Sequence, residues 1–331
     1  MSSQRNSRVP SVPLLRNLTP DRRRIMYAFG AAILLFAVGA IVRPGFTAWS
    51  SVQAVLTVAS FVGFVAAGQM FVVLIAGIDL SVPWVLNAAA ILLVTSSLGR
   101  DDRTLWAVLL VLGLGLGVGL INGLGIALLS VPAVVMTLGM NGIMEGLTLG
   151  LSNGFTCNAC SSNAPPAVRG AVVSRLLGIP AELYVWLGVI LLVSFVLSFT
   201  TFGRRIYAVG NNARASYLAG INVRATTVIL YMLSGMFAAL TGIALVGYGG
   251  SPSLGIGDPY LFQSIAAVVI GGVYITGGRG HYLGVVAGSI SLVVLISVLQ
   301  AMNMPEYGRS IIYGVVVLII LLLYGRERRE A

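Results

Sequence analysis

The sequence predicts an all-α polytopic membrane protein with about ten transmembrane helices, since a bilayer-crossing helix needs roughly 20 mostly apolar residues and such runs recur along the chain. Composition agrees. Hydrophobic residues make up 57% of the 331 residues and charged ones 9%, with a mean hydropathy of +0.96, more apolar material than one soluble core of that size would hold. The arginines, finally, collect in the polar stretches between the runs: six before the first, four within 203–224 and three within 325–331.

Residues 1–24 are polar and basic, carry Pro10, Pro13 and Pro20, and lead into an apolar run without a small-residue cleavage site, so they read as a retained cytoplasmic tail. The membrane body follows over 25–325, with spans near 25–42, 51–76, 80–98, 104–129, 132–151, 183–202, 226–249, 260–275, 282–302 and 309–324, and a short cytoplasmic tail at 326–331. An even number of spans puts both termini on one side. The positive-inside rule makes that side the cytoplasm, with fourteen arginines inside and six outside or at that interface: Arg43, Arg100, Arg103, Arg169, Arg175 and Arg309. Eight spans with two re-entrant segments fit the same count. This distribution and attraction to anionic lipid explain the net charge of +10, and no basic stripe interleaved with aromatics speaks for nucleic acid.

Two groups of four spans, 51–151 and 226–324, are separated by the long loop 152–182 and one further span. Their offset of five spans is odd, so the second group would run opposite to the first, as in inverted-repeat transporters. Clustered glycines such as Gly113, Gly115, Gly117, Gly119, Gly123 and Gly125 read as close helix packing. The two cysteines, Cys157 and Cys160, fall in the outer loop, where a short disulfide and two free thiols are both open readings. All twenty basic residues are arginine. A phosphate-binding P-loop requires a lysine, so any ATP hydrolysis would belong to another polypeptide.

The largest hydrophilic island between spans, 203–224, holds Arg204, Arg205, Arg214 and Arg224 and no acid. Asn211 or Asn212 can cap a short helix there, residues 213–219 can form two turns, and Gly220 can end them in a left-handed conformation. Tyr217 would stand on one face of this cytoplasmic knob, which suits docking of a soluble partner.

Acids are expensive at membrane depth. Asp79 has two readings, a pathway residue or a helix cap between Gly77 and Pro83. Glu145 is the sharper pathway candidate, its alternative being an acid near the outer end of its span that reaches headgroup water. Gln69, Asn87, Asn122, Asn141 and Gln263 could line a passage for a hydroxyl-rich solute, or tie helices together. No metal-ligand cluster, paired carboxylates or nucleophilic triad is present in the sequence, and His281 follows Gly280 in a short cytoplasmic turn.

Four ordered motifs resemble the ribose-type permease subunits of bacterial ABC importers from about residue 50 onward: Gly77-Ile78-Asp79-Leu80-Ser81 with its flanks; Asn122-Gly123 through Val131-Pro132 to Thr137-Leu138-Gly139; Gly210 through Ala219-Gly220-Ile221-Asn222-Val223; and Gly271-Gly272 through Gly277-Gly278-Arg279-Gly280 to Gly284. The resemblance implies a multi-pass protein of the bacterial cytoplasmic (inner) membrane that pairs with a second permease subunit, as homodimer or heterodimer. It also implies an extracytoplasmic sugar-binding protein that delivers the solute, and a cytoplasmic ABC ATPase that binds ATP and Mg while this chain holds no cofactor. The segment from Arg204 and Arg205 to Gly220 then resembles the coupling helix that docks on the ATPase. Three departures stand out. Met144-Glu145 lies where the family often has arginine, Pro83-Trp84 replaces glycine and a small residue and could stack on a sugar ring, and Asn211-Asn212 replaces a frequent acidic pair. A branched-chain amino-acid permease shares the fold, and the motif around Asp79 favours sugars. The competing function is an ion-coupled secondary transporter with Asp79 and Glu145 as relay acids.

Overall fold

A computed structural model describes residues 20–152, 154, 163–305, 307–309, 311–312 and 314–315. Cys157 and Cys160 lie outside these residues, as does most of the predicted tenth span. The chain is helical almost throughout: α1 (Pro20–Val42), α2 (Trp49–Val73), α3 (Val82–Ser97), α4 (Thr104–Leu129), α5 (Ala133–Ser152), α6 (Pro166–Val173), α7 (Ala181–Phe199), α8 (Thr201–Asn211), α9 (Ala213–Leu218), α10 (Val223–Gly249), α11 (Asp258–Ile270) and α12 (Tyr282–Ala301). A two-strand antiparallel hairpin, β1 (Arg175–Leu176) and β2 (Ile179–Pro180), precedes α7. Among the described residues seven helices are long and apolar enough to cross a membrane, and α3 and α11 are apolar but shorter. The protein is an all-α polytopic membrane protein.

The predicted spans at 80–98 and 260–275 contract to α3 and α11 for a local reason. Proline sits in the first turn of each, at Pro83 and Pro259, where its missing N–H costs nothing, while Gly271 and Gly272 end α11. Each is preceded by an irregular segment, 74–81 and 250–257, that runs back into the bundle from the end of a long helix. The starts of α3 and α11 meet there, with Gly257 packed directly on the Pro83 carbonyl.

Helix α2 is the most enclosed, and α10 and α12 are largely buried around it. The pairings come in matched sets: α2 packs on α12 and α10 on α4, α3 on α10 and α11 on α2, α3 on α4 and α11 on α12. Exchanging α2, α3 and α4 for α10, α11 and α12 converts each pairing into its counterpart. The exchanged helices run in opposite directions, since α2 ends and α10 begins at the face that carries α8 and α9. This is the pattern of an inverted repeat. The other membrane-length helices, α1, α5 and α7, and the outer face of α4 leave broad apolar surfaces exposed, as lipid-facing helices do.

The most extensive helix pairing joins α4 to α10. Gly115, Gly119 and Gly123 follow one another at four-residue spacing and lie on Gly235, Tyr231 and Val228, so that backbone meets backbone with no side chain between. A Cβ at Gly119 would overlap the Tyr231 carbonyl. Gly113 and Gly117, by contrast, face open space, so the glycine cluster divides by helix face. On the face opposite α8 and α9, Arg100 forks onto Asp102 at 3.0 and 2.9 Å, which holds that carboxyl below its ordinary range. Both groups are exposed, so the pair adds little stability.

The crossing predicts that Gly119→Leu lowers stability by about 1–3 kcal/mol or prevents insertion, read as a fall in the thermal midpoint in detergent. Gly117→Leu should stay within about 0.5 kcal/mol of the parent. Equal effects at the two sites would mean that helix propensity, not the crossing, sets the cost.

Candidate functional site

The face with α8 and α9 presents a small rigid projection. Thr200 caps α8 through its hydroxyl, which accepts from Gly203 N–H at 3.1 Å. Asn212 separates α8 from α9 in an extended conformation, and its side-chain oxygen accepts from Ala215 N–H at 2.9 Å. Gly220, at φ +84°, turns the chain, and Asn222 caps α10 by accepting from Ala225 N–H at 2.9 Å. Within α9 only Ser216 is buried, while Tyr217 and Leu218 are 71% and 79% exposed. Arg204, Arg205, Arg214 and Arg224 are exposed around it. Asn211 belongs to the last turn of α8 and is exposed, its amide donating to Tyr207 O at 2.8 Å and Gly278 O at 3.4 Å.

The second region lies inside the bundle. Asp79 is 1% exposed, with Oδ1 accepting from Ser81 N–H at 3.0 Å and Ser81 Oγ at 2.6 Å, and Oδ2 accepting from Ser234 Oγ of α10 at 2.7 Å. Ser234 stands about 17 Å along the roughly 40 Å axis of α10, which places Asp79 near mid-membrane. Asn122 of α4 donates to Ser81 Oγ at 3.0 Å, and Thr137 of α5 accepts from Leu80 N–H at 3.0 Å. The Gln69 amide, oriented by its surroundings, grips the Asp79 backbone on both sides, donating to the carbonyl at 3.2 Å and accepting from the N–H at 3.3 Å. Asn87 of α3 does the same for the other irregular segment, donating to Ser253 O at 3.1 Å and accepting from Gly255 N–H at 2.9 Å. Gln69, Asp79 and Asn122 thus meet in one network, and Asn87 serves a second.

Trp84 is 9% exposed and packs with Val85, Met140 and Met144. Asn141 and Glu145 lie half-buried four residues apart on α5, and Gln263 is half-buried on α11. Asn141 Oδ1 is buried and meets no donor among the described residues. None of these candidates lines the cavity of about 260 Å³ between α3, α4 and α5, whose walls include Ile91, Leu114, Met144 and Leu151. Two acids escaped the sequence reading. Asp258 opens α11 and is exposed, signalled by the acid-proline start of that helix. Glu182 is buried in the first turn of α7 with its carboxylate 3.5 Å from Ser60 Oγ, a long-range pairing with no local signal.

Replacing Asp79 by leucine would strand the Ser81 and Ser234 donors, each at about 1–3 kcal/mol, so Asp79→Leu should cost several kcal/mol in detergent unfolding. Asp79→Asn keeps an acceptor oxygen and should cost less. A leucine variant that melts with the parent would show that the network bears no load.

The family model described as branched-chain amino acid transport system / permease component matches residues 51–321. Among curated relatives, the ribose import permease protein of Escherichia coli strain K12 is 31% identical over 90% of this chain and 92% of its own. The fructose import permease protein of Rhizobium meliloti is 31% identical over 90% and 84%. The autoinducer 2 import system permease protein of Photorhabdus luminescens is 29% identical over 93% and 92%. No solved structure matches the chain. With the matched span covering the bundle from α2 onward, the chain belongs to this permease family and, within it, is akin to the sugar-import permeases of ABC transporters.

Proposed function

We propose that this chain is the membrane-spanning permease subunit of an ATP-driven importer, translocating a monosaccharide or similar polyol handed over by an extracytoplasmic binding protein. The observation that carries the reading is α9: a capped, almost wholly exposed helix with Tyr217 and Leu218 at its end, on a membrane protein whose family consists of permease components. A short helix of this kind suits the groove of a soluble partner. Relatives that import ribose and fructose support the solute class.

The arginine-rich face is taken as cytoplasmic, because Arg204, Arg205, Arg214, Arg224 and Arg279 all belong to its segments. Both termini then lie in the cytoplasm, and the membrane is the bacterial inner membrane. The ATPase is a separate subunit that binds ATP and Mg, since a lysine-free chain has no P-loop. A second permease subunit completes the passage, and Asn141, Glu145 and Gln263 are its candidate lining residues. The network around Asp79 argues against a relay acid there, because the carboxylate is closed off by Ser81, Ser234 and the Gln69 clamp.

The test is co-purification from membranes in mild detergent, comparing the parent with a Tyr217→Asp, Gly220→Pro double variant. An ATPase should travel with the parent and be lost from the variant. Solute movement by the purified chain alone down an ion gradient, with no ATPase under any condition, would replace this reading with a secondary transporter.

A further inference from the structure

The end of α8, the start of the 74–81 segment and the turn at Gly277-Gly278 interlock through their backbones. Gly278 N–H donates to the Leu74 carbonyl at 2.9 Å. Gly210 packs so closely on that carbonyl that a Cβ there would overlap it, and would lie 2.5 Å from Gly278 N. A Cβ at Gly277 would lie 3.1 Å from Gly210 O and 3.0 Å from Ala76 N. Tyr207 adds a brace from α8, its hydroxyl donating to Gly280 O at 2.7 Å. Contact between backbones leaves no rotatable side chain to absorb a displacement.

At this interlock the chain reverses in a turn, with Ala76 N–H donating to Val73 O at 2.9 Å and Gly77 N–H to Val72 O at 3.0 Å, and 78–81 then leads to the network around Asp79. Ala76 holds φ +60°, and Gly77 lies against the Tyr231 hydroxyl and Val72. Two residues on, Asp79 is fixed by Gln69, Ser81 and Ser234, and Leu80 by Thr137. Beyond the turn the segment is tied to α2, α5 and α10 at its inner end. Ser81 then begins α3. One end of this strut touches the helix pair that bears α9, and the other sets the position of α3 and its neighbours.

We propose that Gly210 is a positioning residue and the 74–81 segment a transmission strut, carrying displacement of the α8–α9 arm to the mid-membrane start of α3. The inference rests on the reading of α9 as the ATPase dock. Movement of α9 by a closing ATPase shifts Leu74 and Gly278 through Gly210, and the strut repositions the polar network around Asp79. Packed interfaces of this kind switch between discrete arrangements and do not deform smoothly.

The test uses the full chain with the ATPase that co-purifies, in a Cys157→Ser, Cys160→Ser background carrying Leu80→Cys, a half-buried strut position. The rate of labelling by a membrane-impermeant maleimide is measured with and without ATP plus vanadate. Nucleotide should change that rate by about tenfold in the parent. Gly210→Ala, which favours helix within α8 itself, should abolish the change while the ATPase still co-purifies and hydrolyses ATP. Tyr207→Phe, with no added bulk, should weaken the change and guards against a Gly210 variant that fails to fold. A nucleotide response that persists in both variants, or is absent from the parent complex, overturns the strut. If no ATPase accompanies the parent at all, the importer reading fails first and the strut with it, a result distinct from an intact complex that does not respond.

Discussion

A polypeptide that leaves helical geometry at membrane depth must find partners for every backbone N–H and C=O without help from water. That constraint governs the centre of this protein, where 74–81 and 250–257 both enter the bundle as irregular chain. Two carboxamides supply the missing partners. Gln69 grips Asp79, and Asn87 grips Ser253 and Gly255, each offering one donor and one acceptor in the manner of a neighbouring strand. With these clamps in place, α3 and α11 can start in mid-membrane instead of at its surface. The rest of the architecture follows, including the matched pairings of α2, α3 and α4 with α10, α11 and α12.

Close approach of the helices is the second requirement, and glycine meets it where side chains would hold the backbones apart. Gly115, Gly119 and Gly123 seat α4 on α10, and Gly271, Gly284 and Gly288 seat α12 on α11. In lipid, apolar burial gives helices no preference for one another over acyl chains, so this intimacy and the buried hydrogen bonds carry the association. The Tyr282 hydroxyl donating to Gly63 O at 2.8 Å ties α12 to α2 by the same logic.

What could be read from the sequence was local. Span lengths follow from apolar runs, and the α9 projection follows from Asn212, a few small residues and Gly220, whose signals all lie within ten positions of one another. The role of Asp79 was only half legible. Its neighbours Gly77, Ser81 and Pro83 suggested a cap, and Ser81 does supply two of its hydrogen bonds, but the third comes from Ser234, 155 residues away. Nothing local marks Gln69 as a backbone clamp, or separates Gly119, which is jammed against α10, from Gly117, which faces open space. Helix α8 and the hairpin before α7 escaped because their apolar faces are short and their partners distant, as with Gln53 donating to Gly178 O at 2.6 Å.

The division of labour this implies is physical. A chain without lysine cannot cradle a nucleotide as a P-loop does, so in the proposed importer energy would arrive as force on a surface. Force is useful only if the surface is stiff and its connection inward has little slack. Caps at Thr200, Asn212 and Asn222 make the arm stiff, and backbone contact at Gly210 leaves the connection without a rotamer to yield. Glycine at 210, 277 and 278 therefore provides stiffness between segments by letting them touch, although each glycine alone is the most flexible residue in the chain.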